Sequence, residues 1–500
     1  MKAFLMFRDR DIDPEPKLPP YVSTLTQDLE LETLFNAMSM GNADLFEVIR
    51  KVVLSSLNDH DTILYRQNIL KDCLKNPSIV RDIYGIAVET IESRKKNRLG
   101  SILSNYPSSV LYSSVQLLQL FVEMLKKLKN IADEHAGKFE SEGFTAFFAM
   151  LKKELDDEYF LSIQNHLKEL NFRNGVLISA ELICGNVGDH YILRKSHDKR
   201  GNWMKLIFQK RSPVYSFSID ARDEGGARAL SELRDRGINL VANAVAQSAE
   251  HILSFFNMLR LELSFYIGCL NLYEQLVQTG EPISFPQPVV SSERKHSFKG
   301  LYDICLALVM KRKIVGNDLN CDHKDLVVIT GANQGGKSTF LRSIGIAQLM
   351  MQCGMFVPAE SFCANTCEKL FTHYKRKEDT TMKSGKLDEE LNRMSDILDQ
   401  IKVNSLVLFN ESFAATNERE GTEIARQIVD ALLEKHIKIF FVTHLYEFAH
   451  SYYEREMDNA IFLRAERKSE GKRTYKIIEG EPLQTSFGED LYTKIFGIAS

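Results

Sequence analysis

The chain has 500 residues, of which 44% are hydrophobic and 26% are charged, and its formal net charge at pH 7 is −4. This composition is typical of a folded globular protein with two to four domains. The small net charge excludes a globally basic protein, so any nucleic-acid surface must be a local patch. The eight cysteines lack the spacing of a disulfide framework. Cys363 and Cys367 are the closest pair, and no second pair completes a zinc site with them.

No targeting or membrane segment is evident in the sequence. We find no apolar stretch as long as a membrane-spanning helix. Residues 1–7 are too few for the apolar region of a signal peptide and run directly into charged residues 8–11. We therefore predict a cytoplasmic protein with no membrane partner.

The amino-terminal part of the chain has a helical pattern. Residues 1–28 contain four prolines and are expected to form an extended lead-in segment. From residue 29 to about residue 172, capping residues and apolar positions at three- and four-residue spacing predict a helical core. Two basic runs, residues 94–98 and 126–129, are typical of solvated helix faces, and a nucleic-acid role is the alternative.

A β-rich insertion is predicted at residues 173–222. Residues 176–193 and 204–219 are rich in β-branched and aromatic side chains and are separated by glycines. The connecting segment, residues 194–211, is strongly basic and contains the only tryptophan of the chain. Such a segment could lie along a phosphate backbone, and a mobile surface loop is the alternative. The candidate DNA contacts are Arg194, Lys195, Lys199, Arg200, Lys210 and Arg211.

Helical periodicity returns at Glu224. Apolar residues recur at helical spacing from Ile238 to Leu276, which predicts one long helix or two collinear ones within residues 223–290. We interpret the apolar stripe as core packing and the helix as a lever. Residues 279–288 contain three prolines and a glycine and are predicted to be the linker to the last domain.

Residues 291–500 alternate between strand and helix patterns, which predicts a mainly parallel sheet covered on both faces. Helices are predicted from Lys337 to Gly354 and from Gly421 to Lys435. The predicted strands are residues 326–330, 370–374, 405–409, 437–443, 460–463 and 474–478.

The most informative stretch joins the first of these strands to the helix that follows it. Gly331, four further residues and then Gly336-Lys337-Ser338 form the phosphate-binding loop pattern in its strand–loop–helix context. Glycines let backbone N–H groups turn toward a phosphate, and the helix N-terminus adds positive partial charge. Lys337 would neutralise the β- and γ-phosphates of ATP, and the Ser338 hydroxyl would ligate Mg²⁺. The predicted nucleotide-binding residues are Gly331, Ala332, Asn333, Gln334, Gly335, Gly336, Lys337, Ser338 and Thr339.

Two later strands end in polar residues that suit hydrolysis. Residues 405–409 lead into Asn410 and Glu411, where phosphate-loop ATPases place an aspartate that holds Mg²⁺. Asn410 can accept a hydrogen bond from a metal-bound water but lacks the negative charge, so we expect weaker Mg²⁺ binding. Glu411 would polarise the attacking water, and His444, after the next strand, could bind that water or the γ-phosphate. These residues predict an ATPase with Lys337, Glu411 and His444 as catalytic residues.

Together these motifs resemble the ATPase domain of the MutS family of mismatch-repair proteins. The resemblance implies an α/β, ABC-type P-loop ATPase domain at the carboxy terminus, preceded by a mainly helical core and lever domain with a small β insertion. It also implies that Asn317 lies near the adenine of the nucleotide. The matching residues are 331–339, Glu411, Thr416, Gly421 and 441–444, with further similarity at 316–319, Gly480 and 486–488.

The sequence also departs from the family pattern. We find no amino-terminal Gly-x-Phe-Tyr-Glu-like segment, which in the family probes a mismatch, so we expect a member without the mismatch-recognition domain. Asn410 replaces an aspartate, and residues 414–415 are Ala-Ala in place of Arg-Gly. Ser384-Gly385-Lys386 stands where the family has a Ser-Thr pair that reaches the partner's nucleotide. We predict that Ser384 and Lys386 bind the opposite subunit's nucleotide, with a capped surface helix as the alternative.

The leading hypothesis is a homodimeric ATPase clamp on mismatched, branched or otherwise structured DNA, in repair or recombination. The alternative is a nucleotide-switched interaction protein that does not contact DNA. A chromosome-maintenance type of ABC ATPase is disfavoured, because the helical segments are too short for its coiled-coil arms. The basic segment 194–211 separates the first two hypotheses, since only the first requires it.

Overall fold

The computed structural model describes residues 1–98, 106–172, 175–195, 215–376, 385–467 and 473–483. The chain divides into two compact units. Unit 1 consists of residues 1–3, 78–139 and 145–260, and unit 2 consists of residues 4–77, 140–144 and 261–500.

The predicted helical pattern is confirmed over residues 29–98 and 106–172, the described part of the range 29–172. Asn42, Asp59 and Asp156 each accept a backbone N–H at a helix start, which is the reason these helices begin there. The helices are α1 (Val22–Asp28), α2 (Leu31–Ser39), α3 (Ala43–Leu54), α4 (His60–Lys75), α5 (Pro77–Arg98), α6 (Pro107–His135), α7 (Glu142–Glu154) and α8 (Asp157–Glu169).

The lead-in segment is not extended throughout. Helix α1 occupies its last seven residues, because the prolines lie before the helix and because Val22 and Leu25 are buried. Upstream of it, Leu5 is fully buried, and its N–H donates to a Glu262 carboxylate oxygen at 2.7 Å. The Ile12 N–H donates to the other oxygen at 3.3 Å. Burial raises the pKa of Glu262 to about 7. Tertiary contacts within unit 2 thus order a segment that its own sequence leaves irregular.

Unit 1 contains a β-hairpin in the predicted insertion. Strands β1 (Leu177–Ile183) and β2 (Val187–Arg194) pair antiparallel. The predicted second strand at 204–219 is wrong for residues 215–219, which form no strand. Tyr215 in this stretch is 89% exposed, so no described neighbour packs against it to hold it in a sheet. Residues 204–214 lie outside the described part of the chain.

The predicted long helix is a single helix, α9 (Glu224–Thr279), of 56 residues. At 1.5 Å per residue it is about 84 Å long. The division between the two units falls inside it, after Arg260. Among the described residues, α9 alone is long and apolar enough to cross a membrane by length and composition, and 72% of its most apolar window is buried inside the protein. Such burial is typical of a core helix.

The main sheet of unit 2 has six strands in the order β12–β11–β6–β10–β9–β8. Its strands are β6 (Leu326–Thr330), β8 (Leu370–Tyr374), β9 (Leu406–Asn410), β10 (Lys438–Val442), β11 (Ala460–Arg467) and β12 (Arg473–Glu479). All pairs are parallel except β11–β12. The six predicted strands are confirmed, with small shifts at their ends.

A second, four-stranded sheet in unit 2 was not predicted from the sequence. Its order is β3–β7–β4–β5, with β3 (Gln287–Val289), β4 (His296–Leu301), β5 (Asn317–Asn320) and β7 (Ser361–Asn365). These strands have only three to six residues, so their periodicity is too short to recognise. Strand β3 lies in the segment predicted to be a linker and tolerates Pro288 because it is an edge strand.

Helices cover both faces of the main sheet, as predicted. The carboxy-terminal helices are α10 (Ile304–Met310), α11 (Lys337–Gln352), α12 (Lys386–Gln400), α13 (Glu418–Glu434) and α14 (Tyr446–Tyr453). Phe409 and Phe441 share a core with residues of α12, α13 and α14. On the opposite face of β9, Leu408 lies so close to α11 that a Cβ at Gly345 would be 2.7 Å from its Cδ1. This arrangement brings the carboxyl ends of β6, β9 and β10 to one edge.

Candidate functional site

The glycine-rich loop, residues 331–336, connects β6 to α11 at the carboxyl edge of the sheet. Gly331 has a φ of +109°, Gln334 of +60° and Gly336 of +93°. A Cβ at Gly331 would lie 2.9 Å from the backbone nitrogen of Ala465, so only glycine fits there. Helix α11 begins without a side-chain cap, which leaves its N-terminal backbone groups to an anion.

The Lys337 side chain folds back onto the loop that precedes it in the sequence. Its Nζ donates to the carbonyl oxygens of Gly331 and Ala332 at 2.8 and 2.9 Å, and the residue is 5% exposed. Burial lowers the pKa of Lys337 to about 8, and the Glu411 carboxylate opposes that shift. An anion in the loop would favour the charged ammonium, so this lysine is suited to binding phosphate.

The two predicted metal ligands meet directly. The Ser338 hydroxyl, in the first turn of α11, donates to Oδ1 of Asn410 at the end of β9 at 2.9 Å. In the described residues no group of three or more His, Cys, Asp or Glu side chains could hold a metal ion. Mg²⁺ commonly takes few protein ligands and completes its shell with phosphates and water. The two oxygens of Ser338 and Asn410 fit a magnesium ion of that kind.

The two predicted catalytic groups of the later strands also meet. His444 Nε2 donates to Oε1 of Glu411 at 2.9 Å. This hydrogen bond holds the pKa of Glu411 below its usual value, so the carboxylate is ionised at neutral pH. The Glu411 backbone has a φ of +54°, and its N–H donates to the Val442 carbonyl at 2.9 Å. An ionised carboxylate held by an imidazole can orient and polarise a water molecule.

A cavity of about 520 Å³ is lined by Ser338 and Glu411, one member of each pair, whereas Asn410 and His444 do not line it. Gly331 and Ala332 do not line it but accept hydrogen bonds from Lys337. Residues lining the cavity include Tyr302, Asp303, Ile314, Asn317, Asn333, Gln334, Gly335, Gly336, Lys337, Ser338, Thr339, Glu411 and Tyr475. Its volume is in the range of small-molecule sites.

Asn317 lies at this cavity but uses its side chain on the neighbouring strand. Its Oδ1 accepts the Ile477 N–H at 2.8 Å, and its Nδ2 donates to the Tyr475 carbonyl at 3.4 Å. Asn317 is only 6% exposed. The amide therefore fixes β12, and with it the Tyr475 ring, at the wall of the cavity.

Several cavity residues, among them Tyr302, Ile314 and Tyr475, were not predicted from the sequence. Tyr475 has a φ of +61° and is 51% exposed. Tyr302 is buried, and its hydroxyl has no hydrogen-bond partner within the described structure. Ile314 lies between α10 and β5. No motif marks these positions; an aromatic residue in the predicted strand at 474–478 was the only available signal.

The predicted composite-site residues are Ser384 and Lys386. Ser384 lies outside the described residues. Lys386 is the first residue of α12, after an N-cap at Gly385, and does not line the cavity. Their predicted contact with a partner's nucleotide stays a prediction.

The structure describes two of the six predicted DNA-contact residues. Arg194 Nε donates to the Ser179 hydroxyl at 2.9 Å, and Lys195 Nζ pairs with Glu169 at 2.8 Å. The other four predicted contacts, Lys199, Arg200, Lys210 and Arg211, lie in a part of the chain that the structure does not describe.

Comparisons with known proteins match both parts of the chain. The family described as MutS2 N-terminal domain matches residues 58–279, and the family described as MutS domain V matches residues 327–495. A relative from Parabacteroides distasonis, named DNA mismatch repair protein MutS, is 24% identical over 469 residues, covering 89% of this chain and 50% of that protein.

Two further relatives carry the same name. The one from Thermotoga maritima is 30% identical over 244 residues, covering 48% of this chain and 30% of that protein. The one from Prochlorococcus marinus is 32% identical over 165 residues, covering 32% of this chain and 18% of that protein. The chain thus spans half or less of the length of these relatives. The matches at both ends of the chain show that it belongs to the MutS family, with MutS domain V at its carboxy terminus.

Proposed function

We propose that the chain binds ATP with Mg²⁺ and hydrolyses it to ADP and phosphate, in an ABC-type P-loop domain. The main support is the meeting of two side-chain pairs, each of which has one member, Ser338 or Glu411, in the wall of one cavity. Ser338 and Asn410 are 2.9 Å apart, and Glu411 and His444 are 2.9 Å apart. Residues 333–336 of the glycine-rich loop and Lys337 also line this cavity.

Each of these groups has a role in the proposed reaction. Lys337 and the start of α11 bind the phosphates and stabilise the charge that develops on them. Ser338 and Asn410 would hold Mg²⁺, which neutralises phosphate charge. Glu411 accepts a hydrogen bond from the attacking water, and His444 keeps that carboxylate ionised and oriented. Because Asn410 is neutral, we expect slow turnover.

The exposed ring of Tyr475 is the candidate surface for the nucleotide base. Aromatic side chains bind bases by stacking, whatever the base. Tyr475 lines the same cavity as the phosphate-binding loop, and its Cβ would be 3.7 Å from a Cβ at Gly336. The base and the phosphates would thus bind to neighbouring parts of one cavity wall.

The decisive test is Glu411→Gln, with Glu434→Gln at an exposed helix end as the control. The first change keeps the size of the side chain and removes the carboxylate that polarises water. We expect unchanged ATP affinity and a fall in kcat of at least about 100-fold, since general-base catalysis contributes about 10²–10⁴. The control should retain the wild-type kcat. Wild-type turnover by Glu411→Gln would refute the assignment of the catalytic carboxylate.

We further propose that the chain acts on DNA as a homodimer, on mismatched, branched or other structured DNA, in repair or recombination. The support is family membership and the names of its relatives, which are DNA mismatch repair proteins. Residues 1–28, 29–172, 173–222, 223–290 and 291–500 are our proposed lead-in, helical core, β insertion, lever with linker, and ATPase domain. Ser384 and Lys386 are proposed to reach the partner's nucleotide, and a cytoplasmic location stays a prediction.

One observation favours the alternative, a nucleotide-switched interaction protein without DNA contact. The described hairpin strands carry Glu181 and Asp189 against one arginine, Arg194. That arginine and Lys195 are already bound within unit 1. The described hairpin is therefore not a basic surface, and a DNA contact would depend on the rest of segment 194–211.

Charge reversal separates the two functions. Changing Arg194, Lys195, Lys199 and Arg200 together to Glu should weaken DNA binding and flatten its salt dependence, because fewer counterions are released. ATP hydrolysis without DNA should survive. The matched control is Lys152→Glu with Lys153→Glu, on the last turn of α7. An unchanged affinity and salt slope in the quadruple variant, across duplex, mismatched, branched and single-stranded DNA, would favour the DNA-free alternative.

A further inference from the structure

The turn that follows β9 has an unusual backbone. Glu411 has a φ of +54° and Phe413 a φ of +62°. Neither is glycine, and the left-handed conformation is unfavourable for other residues because their Cβ lies too close to the following carbonyl oxygen. Phe413 is fully buried. Contacts from other elements must therefore hold this turn, and Glu411, the proposed catalytic carboxylate, is its first residue.

One of these contacts comes from helix α12. The Phe413 N–H donates to Oε2 of Glu390 at 3.0 Å. Glu390 lies one turn into α12 and is 5% exposed. A hydrogen bond from a backbone N–H to a buried carboxylate is among the stronger hydrogen bonds in proteins. This bond fixes the third residue of the turn.

A second contact reaches the same helix through a histidine. His373 Nε2 lies 3.0 Å from the carbonyl oxygen of Glu390, which can only accept, so Nε2 carries the proton and donates. Burial lowers the pKa of His373 to about 4, so the ring is neutral and Nδ1 is an acceptor. The Ser412 hydroxyl has one proton and two acceptors of His373 within reach, this Nδ1 at 2.7 Å and the carbonyl oxygen, and it donates to one of them at a time. The second residue of the turn is thus fixed as well.

The aromatic contact completes the arrangement. The Phe413 and His373 rings are stacked, with centroids 5.2 Å apart and an interplanar angle of 21°. Both residues after Glu411 are therefore connected to Glu390. Phe413 bonds its side chain directly, and Ser412 reaches its carbonyl oxygen through His373. Glu390 itself does not line the cavity. It can act on the reaction only through Glu411.

We infer that Glu390 is a positioning residue for Glu411, holding the left-handed turn 411–413 so that the Glu411 carboxylate meets His444. The inference rests on the proposed ATPase function. It extends that function by making the position of α12 a determinant of turnover. Any movement of α12 would displace the carboxylate that polarises water without touching the nucleotide.

Two substitutions of one residue test the inference. Glu390→Leu has a similar volume but no acceptor, whereas Glu390→Gln retains an oxygen that can accept the Phe413 N–H. We expect Glu390→Leu to lower kcat at least about tenfold with unchanged ATP affinity, since a misplacement of about 1 Å can cost about 10²-fold. Glu390→Gln should stay within about threefold of wild type. Equal losses in both variants would overturn the inference.

A double variant and an ATPase-independent measurement complete the experiment. In the Glu411→Gln background, Glu390→Leu should lower the residual rate no further, and an additional loss would show that it does not act through Glu411. Amide hydrogen exchange of residues 411–413 should accelerate in Glu390→Leu and stay protected in Glu390→Gln. Wild-type protein without ATPase activity would refute the proposed function, while exchange still decides whether Glu390 holds the turn; equal protection in both variants would overturn that.

Discussion

Two turns at the same edge of the main sheet adopt left-handed backbone conformations that are stabilised in different ways. The glycine-rich loop after β6 and the turn 411–413 after β9 both contain residues with positive φ. The first turn places glycine at two of its three such positions, whereas the second has none. The conformation of the first is therefore encoded locally, and that of the second is imposed by contacts from β8 and α12.

The energetic consequence differs accordingly. Two non-glycine residues in the left-handed region cost about 2–4 kcal/mol together. The bond from the Phe413 N–H to Glu390 contributes about 1.5–3 kcal/mol and that of Ser412 to His373 about 0.5–1.5 kcal/mol, which offsets the cost. The turn beside the proposed catalytic carboxylate thus depends on distant partners at both of its positive-φ positions, whereas the loop has one non-glycine residue with positive φ, Gln334.

The largest expected effect comes from replacing Gly331, the glycine that permits the positive φ at the start of the loop. In Gly331→Ala the new Cβ would approach the Ala465 nitrogen to 2.9 Å, and the φ of +109° is unfavourable for alanine. We expect ATP affinity to fall at least about 100-fold, equivalent to about 2.7 kcal/mol. Equilibrium nucleotide binding measures this. Gly137→Ala, where a Cβ meets nothing within 4 Å, is the control; comparable affinities in the two variants would contradict the argument.

A smaller and different effect is expected at the second turn. A Cβ at Gly421, in the first turn of α13, would lie 2.4 Å from the Phe413 carbonyl oxygen, so Gly421→Ala should push the turn away. We expect kcat to fall about tenfold while ATP affinity changes less than about twofold, because the loop is untouched. Steady-state kinetics with direct binding separates the two quantities. The exposed Arg419→Ala in the same helix should leave both unchanged; a loss of affinity in Gly421→Ala would show that the turns are not independent.

Lowering the pH should destabilise the turn 411–413 and leave the glycine-rich loop unaffected. The pKa of His373 is about 4 in the folded protein against about 6.5 in the unfolded chain. As the pH falls, the unfolded state binds the proton first, so the stability that neutral His373 contributes is complete above pH 6.5 and is lost between pH 6.5 and 4. At pH 5.5 the loss is about 1.4 kcal/mol.

The pH dependence of the apparent Tm measures this loss. Between pH 7 and pH 5.5 the wild-type Tm should fall more steeply than that of His373→Asn, which lacks the titrating group. His166→Gln, at an exposed position of α8, should follow the wild-type slope. Parallel slopes for wild type and His373→Asn would show that His373 has the same pKa in the folded and unfolded protein, and would contradict the argument.

The candidate site was predictable wherever local sequence carries the structure. The six strands of the main sheet and the loop at 331–339 follow from apolar runs, glycine spacing and the polar residues at strand ends. Asn410, Glu411 and His444 were placed at one edge because parallel strands end there together. The contacts of Ser338 with Asn410 and of Glu411 with His444 agree with that placement.

Sequence by itself determined those elements because each depends on its own residues or on the general geometry of parallel sheets. Only the tertiary structure decided the four-stranded sheet, the buried start of the chain, the position of Tyr475 and the turn 411–413. The strands of that sheet are too short to show a period, and the other features depend on partners far along the chain, such as Glu262 for Leu5 and Glu390 for Phe413. No local pattern encodes such partners, because the free energy that fixes each residue comes from contacts that exist only in the folded chain.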